Sequence, residues 1–268
     1  MSELIEHAKI SAKGGVKLSI GTFMYVIISA LGTIIVSRLL SPEDYGLYTM
    51  AMIPANMIGL FRDCGVNLAI VRYVSMYRSR NEEGRIKAVL KGGFLFELAV
   101  GVLFGLFTLA ISDFIANFIF KKPMVSPLIK ISAISVFSIA LYNAGWSAFV
   151  GFERMELSSF VLTLQSVVSS LTSPALILLG YGVVGAVFGS NIGKLFSAVI
   201  CSLLLAEIYR KLDGNPINIK DTIQLLLRYG IPLAIGSILS GFGIQFYRFL
   251  MSRSCPADAI GNYGVVLN

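Results

Sequence analysis

The 268 residues predict an all-α integral membrane protein: a six-helix lobe followed by the first helix of a second, parallel copy of that lobe. Three observations carry this. Mean hydropathy is +0.79, and 56% of the residues are hydrophobic against 14% charged, where a soluble domain carries about 25% charged residues. The apolar residues fall into runs of membrane-spanning length. One of these runs opens and closes in the same way twice, 215 residues apart.

Seven runs follow in order: 18–37, 45–61, 92–112 (interrupted by Glu97), 131–152, 157–180, 181–206 (interrupted by Lys194) and 229–247. A helix needs roughly 20 apolar residues to cross a hydrocarbon core of about 30 Å, so each run reads as a span. Residues 1–17 read as a short basic, amphipathic entry on the membrane surface. Ser41-Pro42-Glu43-Asp44 has the signature of a helix start: a capping hydroxyl, proline at the first position, then acid in the first turn. The second helix is expected to run to about Val71. Arg72–Lys91 is the most charged stretch and reads as an amphipathic helix joined to the third span. Gly180-Tyr181-Gly182 leaves room only for a hairpin. Leu212–Asp221, with Gly214, Asn215 and Pro216, reads as a linker. Expected divisions are therefore a lobe at 1–211, a cytoplasmic linker at 212–221 and the start of a second lobe at 222–268.

The duplication comes from matching positions. Gly15, Leu18, Gly21 and Thr22 correspond to Gly230, Leu233, Gly236 and Ser237, and Ser37-Arg38 to Ser252-Arg253. A Pro, an Asp and a Tyr-Gly follow each copy, as Pro42, Asp44, Tyr45-Gly46 and as Pro256, Asp258, Tyr263-Gly264. Six spans per unit is an even number, so both units enter the membrane from the same side. A complete pair would run to at least 430 residues, of which this chain would supply one lobe and the beginning of the next. With the N-terminus placed in the cytoplasm, 14 of the 22 basic residues fall in cytoplasmic segments, in keeping with the positive-inside bias.

Several classes are disfavoured. Basic residues follow the loops rather than one surface stripe, so nucleic acid is a poor partner. Cys64, Cys201 and Cys255 are scattered, and His7 is the single histidine, so neither a disulfide framework nor a metal site is indicated. No HExxH, GxSxG, P-loop or carboxylate pair occurs, so no catalytic residues and no cofactor are expected. A membrane glycosyl- or phosphotransferase would need an acidic metal motif on a loop, which these short loops lack.

Charges inside the bilayer are costly and become functional candidates. Arg62, Asp63 and Asn67 on the second span, Lys194 on the sixth, and Gln245 and Arg248 on the seventh are candidate cavity residues; Glu97 on the third is either a further functional charge or the partner in a salt bridge with Lys91 or another helix. Polar stripes at helical spacing support a wet interior: Thr22, Tyr25, Ser29, Thr33 and Ser37 share one face, as do Ser190, Lys194, Ser197 and Cys201. The Gly185/Gly189/Gly193 series reads as a close helix contact.

The run Ile34-Ile35-Val36-Ser37-Arg38-Leu39-Leu40-Ser41-Pro42-Glu43-Asp44-Tyr45-Gly46-Leu47-Tyr48 resembles the opening of the O-antigen-type polysaccharide-biosynthesis flippases, and Asp63-Cys64-Gly65 with the following Val66–Arg72 resembles their acidic-x-Gly segment. That group lies within the multidrug/oligosaccharidyl-lipid/polysaccharide exporter superfamily. The resemblance implies a MATE-like fold in the cell membrane and a lipid-linked oligosaccharide substrate turned from the inner to the outer leaflet. It also implies a coupling ion and neighbouring polysaccharide-assembly membrane proteins as partners. A multidrug cation antiporter of the same fold is the alternative.

Overall fold

The computed structural model describes residues 2–216 and 218–267, with side-chain placement for residues 15–216 and 218–265. Nine α-helices occur among the described residues: α1 (Ser2–Leu39), α2 (Pro42–Arg62), α3 (Val66–Ser79), α4 (Glu83–Phe114), α5 (Ser126–Gly151), α6 (Met155–Leu176), α7 (Gly182–Lys211), α8 (Ile219–Ser254) and α9 (Ala257–Leu267). Five stretches are long and apolar enough to cross a membrane: Gly15–Leu39, Glu83–Ile119, Pro123–Gly151, Met155–Lys211 and Ile219–Ser254. The fourth doubles back. Gly180 at φ 92° and Gly182 at φ 51° form its turn, a backbone that glycine adopts without steric cost. The chain is a multi-pass membrane protein.

Large apolar side chains point outward, as they do when the solvent is hydrocarbon. Leu103, Phe118, Leu178 and Leu239 are all more than 60% exposed, while many serines are buried. Several of the buried hydroxyls are satisfied on their own helix: Ser132 donates to Ile129 O at 2.8 Å, Ser135 to Ser132 O at 2.6 Å and Ser138 to Ile134 O at 2.8 Å. Small residues then let helices approach closely. In the α6/α7 hairpin, Thr172 donates to Gly189 O at 2.8 Å and Ser169 to Ser190 O at 3.3 Å. A side chain at Gly193 would collide with Ser169, so this glycine series is a packing seam. α1 lies beside α6 and runs the same way: Ser159 donates to Lys17 O at 2.9 Å and Ser170 to Ile28 O at 3.1 Å, with the same residue separation in both contacts.

α2 is the least lipid-like of the long helices because protein surrounds it. It buries Tyr45, Leu47, Met50, Ala51, Ile53 and Ile58, and at 21 residues it is about 31 Å long. Its start is as expected, with Ser41 Oγ accepting from the Asp44 N–H at 3.1 Å. Its end is not. The sequence reading carried this helix to about Val71, but it stops at Arg62; Cys64 and Gly65 adopt φ 47° and 71°, and α3 starts afresh at Val66. The expected helix at Arg72–Lys91 is likewise divided between α3 and α4 by a turn at Arg80–Glu82. α3 buries Val66, Ile70, Val74 and Tyr77 along one face. At the other terminus, α1 is continuous from Ser2, so residues 2–17 form no separate element. The side chains of 2–14, His7 included, lie outside the described residues.

The duplication is visible in three dimensions. α1 ends at Leu39 and α2 starts at Pro42; α8 ends at Ser254 and α9 starts at Ala257, each 215 residues later. That constant offset pairs Gly46 with Gly261 and Tyr48 with Tyr263, correcting the pairing of Tyr45-Gly46 with Tyr263-Gly264. α2 and α9 pack together reciprocally: a Cβ on Gly46 would strike Ala257 O, and a Cβ on Gly261 would strike Pro42 O. Gly261 also abuts its own counterpart Gly46, and Gly264 its counterpart Thr49. Self-pairing that persists over a turn means that α2 and α9 run in the same direction about a local two-fold axis parallel to them.

Candidate functional site

A cavity of about 410 Å³ lies between α1, α2, α6 and α7, in the half of the bundle that contains the Gly180 turn. Each helix turns a polar stripe inward, interleaved on α1 and α2 with Val26, Val36, Met52 and Ile53. α1 contributes Tyr25, Ser29 and Thr33; α2 contributes Tyr45, Tyr48, Thr49 and Asn56. α6 contributes Gln165, Ser166, Ser169, Ser170 and Ser173, and α7 contributes Ser190 and Lys194. Arg248 reaches in from α8.

Most of these hydroxyls have already spent their proton. Ser166 donates to Thr163 O (2.7 Å), Ser170 to Ile28 O (3.1 Å), Ser173 to Ala186 O (3.3 Å), Ser190 to Val187 O (2.9 Å) and Thr49 to Tyr45 O (3.0 Å). A hydroxyl whose single donor is engaged still has lone pairs to offer, so these walls present acceptors. The charged donors are Lys194 and Arg248, beside the neutral amide N–H groups of Asn56 and Gln165. Among the described residues neither has a carboxylate within 4.0 Å, and no Asp or Glu lines the cavity. The result is a pool of hydrogen-bond acceptors with two uncompensated cations.

Of the six candidate residues, Lys194 and Arg248 meet here and the other four do not. Arg62 is buried and hydrogen-bonded to buried Glu97 on α4, away from the cavity. Asp63 caps the end of α2, and its Oδ1 accepts from the Asn67 N–H at 3.3 Å. Asn67 Oδ1 in turn accepts from Ser147 of α5 at 3.3 Å. These residues form a knot tying α2, α3, α4 and α5 where α2 breaks. Gln245 is half-buried on α8, outside the cavity wall, with a buried and unpartnered amide oxygen. Of the two readings of Glu97, the salt bridge to another helix is the one observed: its partner is Arg62 at the end of α2, not Lys91.

The α6 wall was not among the sequence candidates. Its signal was there: Ser166, Ser169, Ser170 and Ser173 fall at i, i+3, i+4 and i+7, the spacing of one helical face. On α1 the predicted stripe holds for Tyr25, Ser29 and Thr33, whereas Thr22 and Ser37 bond to their own helix and lie off the wall.

This arrangement of helices is that of the MOP-superfamily transporters. The chain superposes on an inward-facing multidrug-resistance MATE transporter with a TM-score of 0.73 at 18% identity, over 95% of this chain and 60% of the other. It superposes on an outward-facing one with a TM-score of 0.68 at 19% identity, over 95% and 59%. The sequence assigns it more narrowly: the profile of the family described as polysaccharide biosynthesis protein matches residues 11–268, and the chain belongs to that family. A protein of Shigella flexneri named as a candidate O-antigen transporter is 27% identical over 248 residues, covering 89% of this chain and 56% of its own length. The chain thus spans little more than half the length of the relatives it matches.

Proposed function

We propose that the cavity receives the head of a lipid-linked oligosaccharide, and that the chain belongs to a flippase moving this amphiphile from the inner to the outer leaflet. The observation that carries the reading is the pairing of acceptor-rich walls with Lys194 and Arg248. A glycan offers many O–H donors, which the engaged serines can accept. The phosphate or pyrophosphate joining glycan to lipid needs cationic donors, and these are worth more in a site shielded from bulk water. Family membership and the Shigella relative point to the same substrate class.

In this reading the N-terminus faces the cytoplasm, and residues 1–211, 212–221 and 222–268 are the first lobe, the linker and the start of the second lobe. Other polysaccharide-assembly membrane proteins supply and take up the substrate, and a coupling ion biases the rocking of the lobes. No chemistry on the substrate is required. The test is binding of a polyprenyl pyrophosphate oligosaccharide to the chain in nanodiscs. Lys194→Ala and Arg248→Ala are each expected to weaken it by about tenfold or more; wild-type affinity in both would overturn the cationic site.

A multidrug cation antiporter is the second reading, favoured by the likeness in fold to multidrug transporters. It calls for carboxylates facing the ligand, and the cavity walls carry none among the described residues. Efflux of a cationic dye from a transporter-deficient strain, lost on Tyr48→Ala but indifferent to Lys194→Ala, would favour it.

A further inference from the structure

Arg248 differs from every other group on the cavity wall in its origin. The rest of the lining comes from α1, α2, α6 and α7; Arg248 alone comes from α8, which belongs to the second repeat. It also lines a smaller pocket, of about 20 Å³, between α2, α8 and α9. The second-repeat walls of that pocket are Arg248, Met251, Ile260, Tyr263 and Gly264. Subtracting the offset of 215 gives Thr33, Val36, Tyr45, Tyr48 and Thr49, and every one of these lines the large cavity. The small pocket is therefore the two-fold mate of the cavity, and Arg248 stands where the first repeat has Thr33.

The way α8 is held gives this asymmetry a mechanical meaning. Far from Arg248, Gly230 of α8 lies directly against Gly65 at the break between α2 and α3, backbone on backbone. There too Arg72 lies over the Tyr229 ring at 4.2 Å. Arg248 is 18 residues further along α8, about 27 Å from this contact, so tilting α8 by about 5° carries it by about 2 Å. A close backbone contact at one end, and at the other a guanidinium with no carboxylate within 4.0 Å among the described residues, give α8 the form of a lever; between and beyond them it meets α2 at Leu60 and Phe61 and, next to Arg248, Phe120 through Phe249.

We propose that Arg248 is a positioning residue that reports occupancy of the cavity to the second repeat. A phosphate group held by Lys194 draws Arg248 out of the small pocket and toward the cavity, and the Arg248 end of α8 follows by tilting about Gly65/Gly230, sliding at Phe120 and Lys122 while α9 stays seated on α2. The proposal rests on the anionic-amphiphile reading above and adds to it that the cation must arrive on the second repeat. A cation at the same place on the first repeat would bind the ligand and move nothing.

The experiment exchanges the two counterparts. Spin labels are placed at Leu31→Cys on α1 and Leu239→Cys on α8, both exposed on the outer face, in the full chain with Cys64, Cys201 and Cys255 replaced by serine. Inorganic pyrophosphate and a short polyprenyl pyrophosphate are the probes, and both binding and the label-to-label distance are measured in nanodiscs. Without exchange, binding should shift the distance distribution. Arg248→Lys should keep the shift at saturation, and Arg248→Thr should lose it along with about tenfold in affinity. The exchange T33R/R248T should bind to within about threefold of the unexchanged chain and show no shift. A shift in the exchanged protein, or binding by the unexchanged chain with no shift, overturns the lever while leaving the binding site standing. Failure of the unexchanged chain to bind either probe overturns the site and the lever together. A shift with both probes makes the pyrophosphate group itself the trigger; a shift with the polyprenyl form alone assigns the trigger to the lipid-borne group.

Discussion

Arg62, at the end of α2, and Lys194, within α7, are both cations in otherwise apolar surroundings, and the fold treats them in opposite ways. Arg62 is sealed against Glu97 at the point where α2 breaks, with almost no exposure for either partner. Lys194 has no counter-charge among the described residues and instead faces a cavity lined with hydroxyls. Placing a lysine at the centre of a membrane helix costs roughly 2.5–3.5 kcal/mol on insertion scales, and an ion pair is the ordinary remedy. A pair exchanges solvation for a fixed partner and locks two helices together. A cation left open to a wet cavity keeps its capacity to bind something else. The first arrangement suits architecture and the second suits a ligand.

The difference can be broken most severely at Glu97. Glu97→Leu leaves Arg62 buried and unpaired and should cost about 3–5 kcal/mol, seen as loss of the monodisperse fraction after heating in detergent. Removing both charges, R62M/E97L, should recover stability to within about 1 kcal/mol of wild type, because an apolar pair fills the same space without stranding a charge. Lys194→Met should act with the opposite sign: an unchanged or higher melting temperature together with about tenfold weaker pyrophosphate binding. A fall in melting temperature comparable to that of Glu97→Leu would show that Lys194 is structural. Asn67→Ala, which strips one strand from the knot around Arg62, should cost about 1 kcal/mol and leave ligand binding intact. Glu207→Ala, at the exposed pair with Lys211, should move neither readout.

These differences also mark how far the sequence could be read. Runs without charge located the long helices because lipid sets their length, and Gly180-Tyr181-Gly182 announced its turn because only glycine tolerates that backbone. The break at Asp63-Cys64-Gly65 was harder to see, since apolar residues continue on both sides and α2 is surrounded by protein, so polarity does not mark its end. Lys194 and Arg248 were legible as charges in otherwise apolar helices. Arg62 looked the same in one dimension; its partner lies 35 residues away on α4, and only folding distinguishes a neutralised cation from an available one. The α6 serines were overlooked although their spacing was helical, because serine is as common in helix packing as in cavity walls.

The reciprocal seam between α2 and α9 carries a consequence for descent. A surface that fits its own copy through Gly46 and Gly261 is what a homodimer interface becomes after its gene doubles and fuses. The ancestral half would have docked two identical subunits side by side in one orientation, the orientation in which α2 and α9 lie against each other. Thr33 and Arg248 are one place where the twins now differ, a neutral hydroxyl in one and a charge in the other.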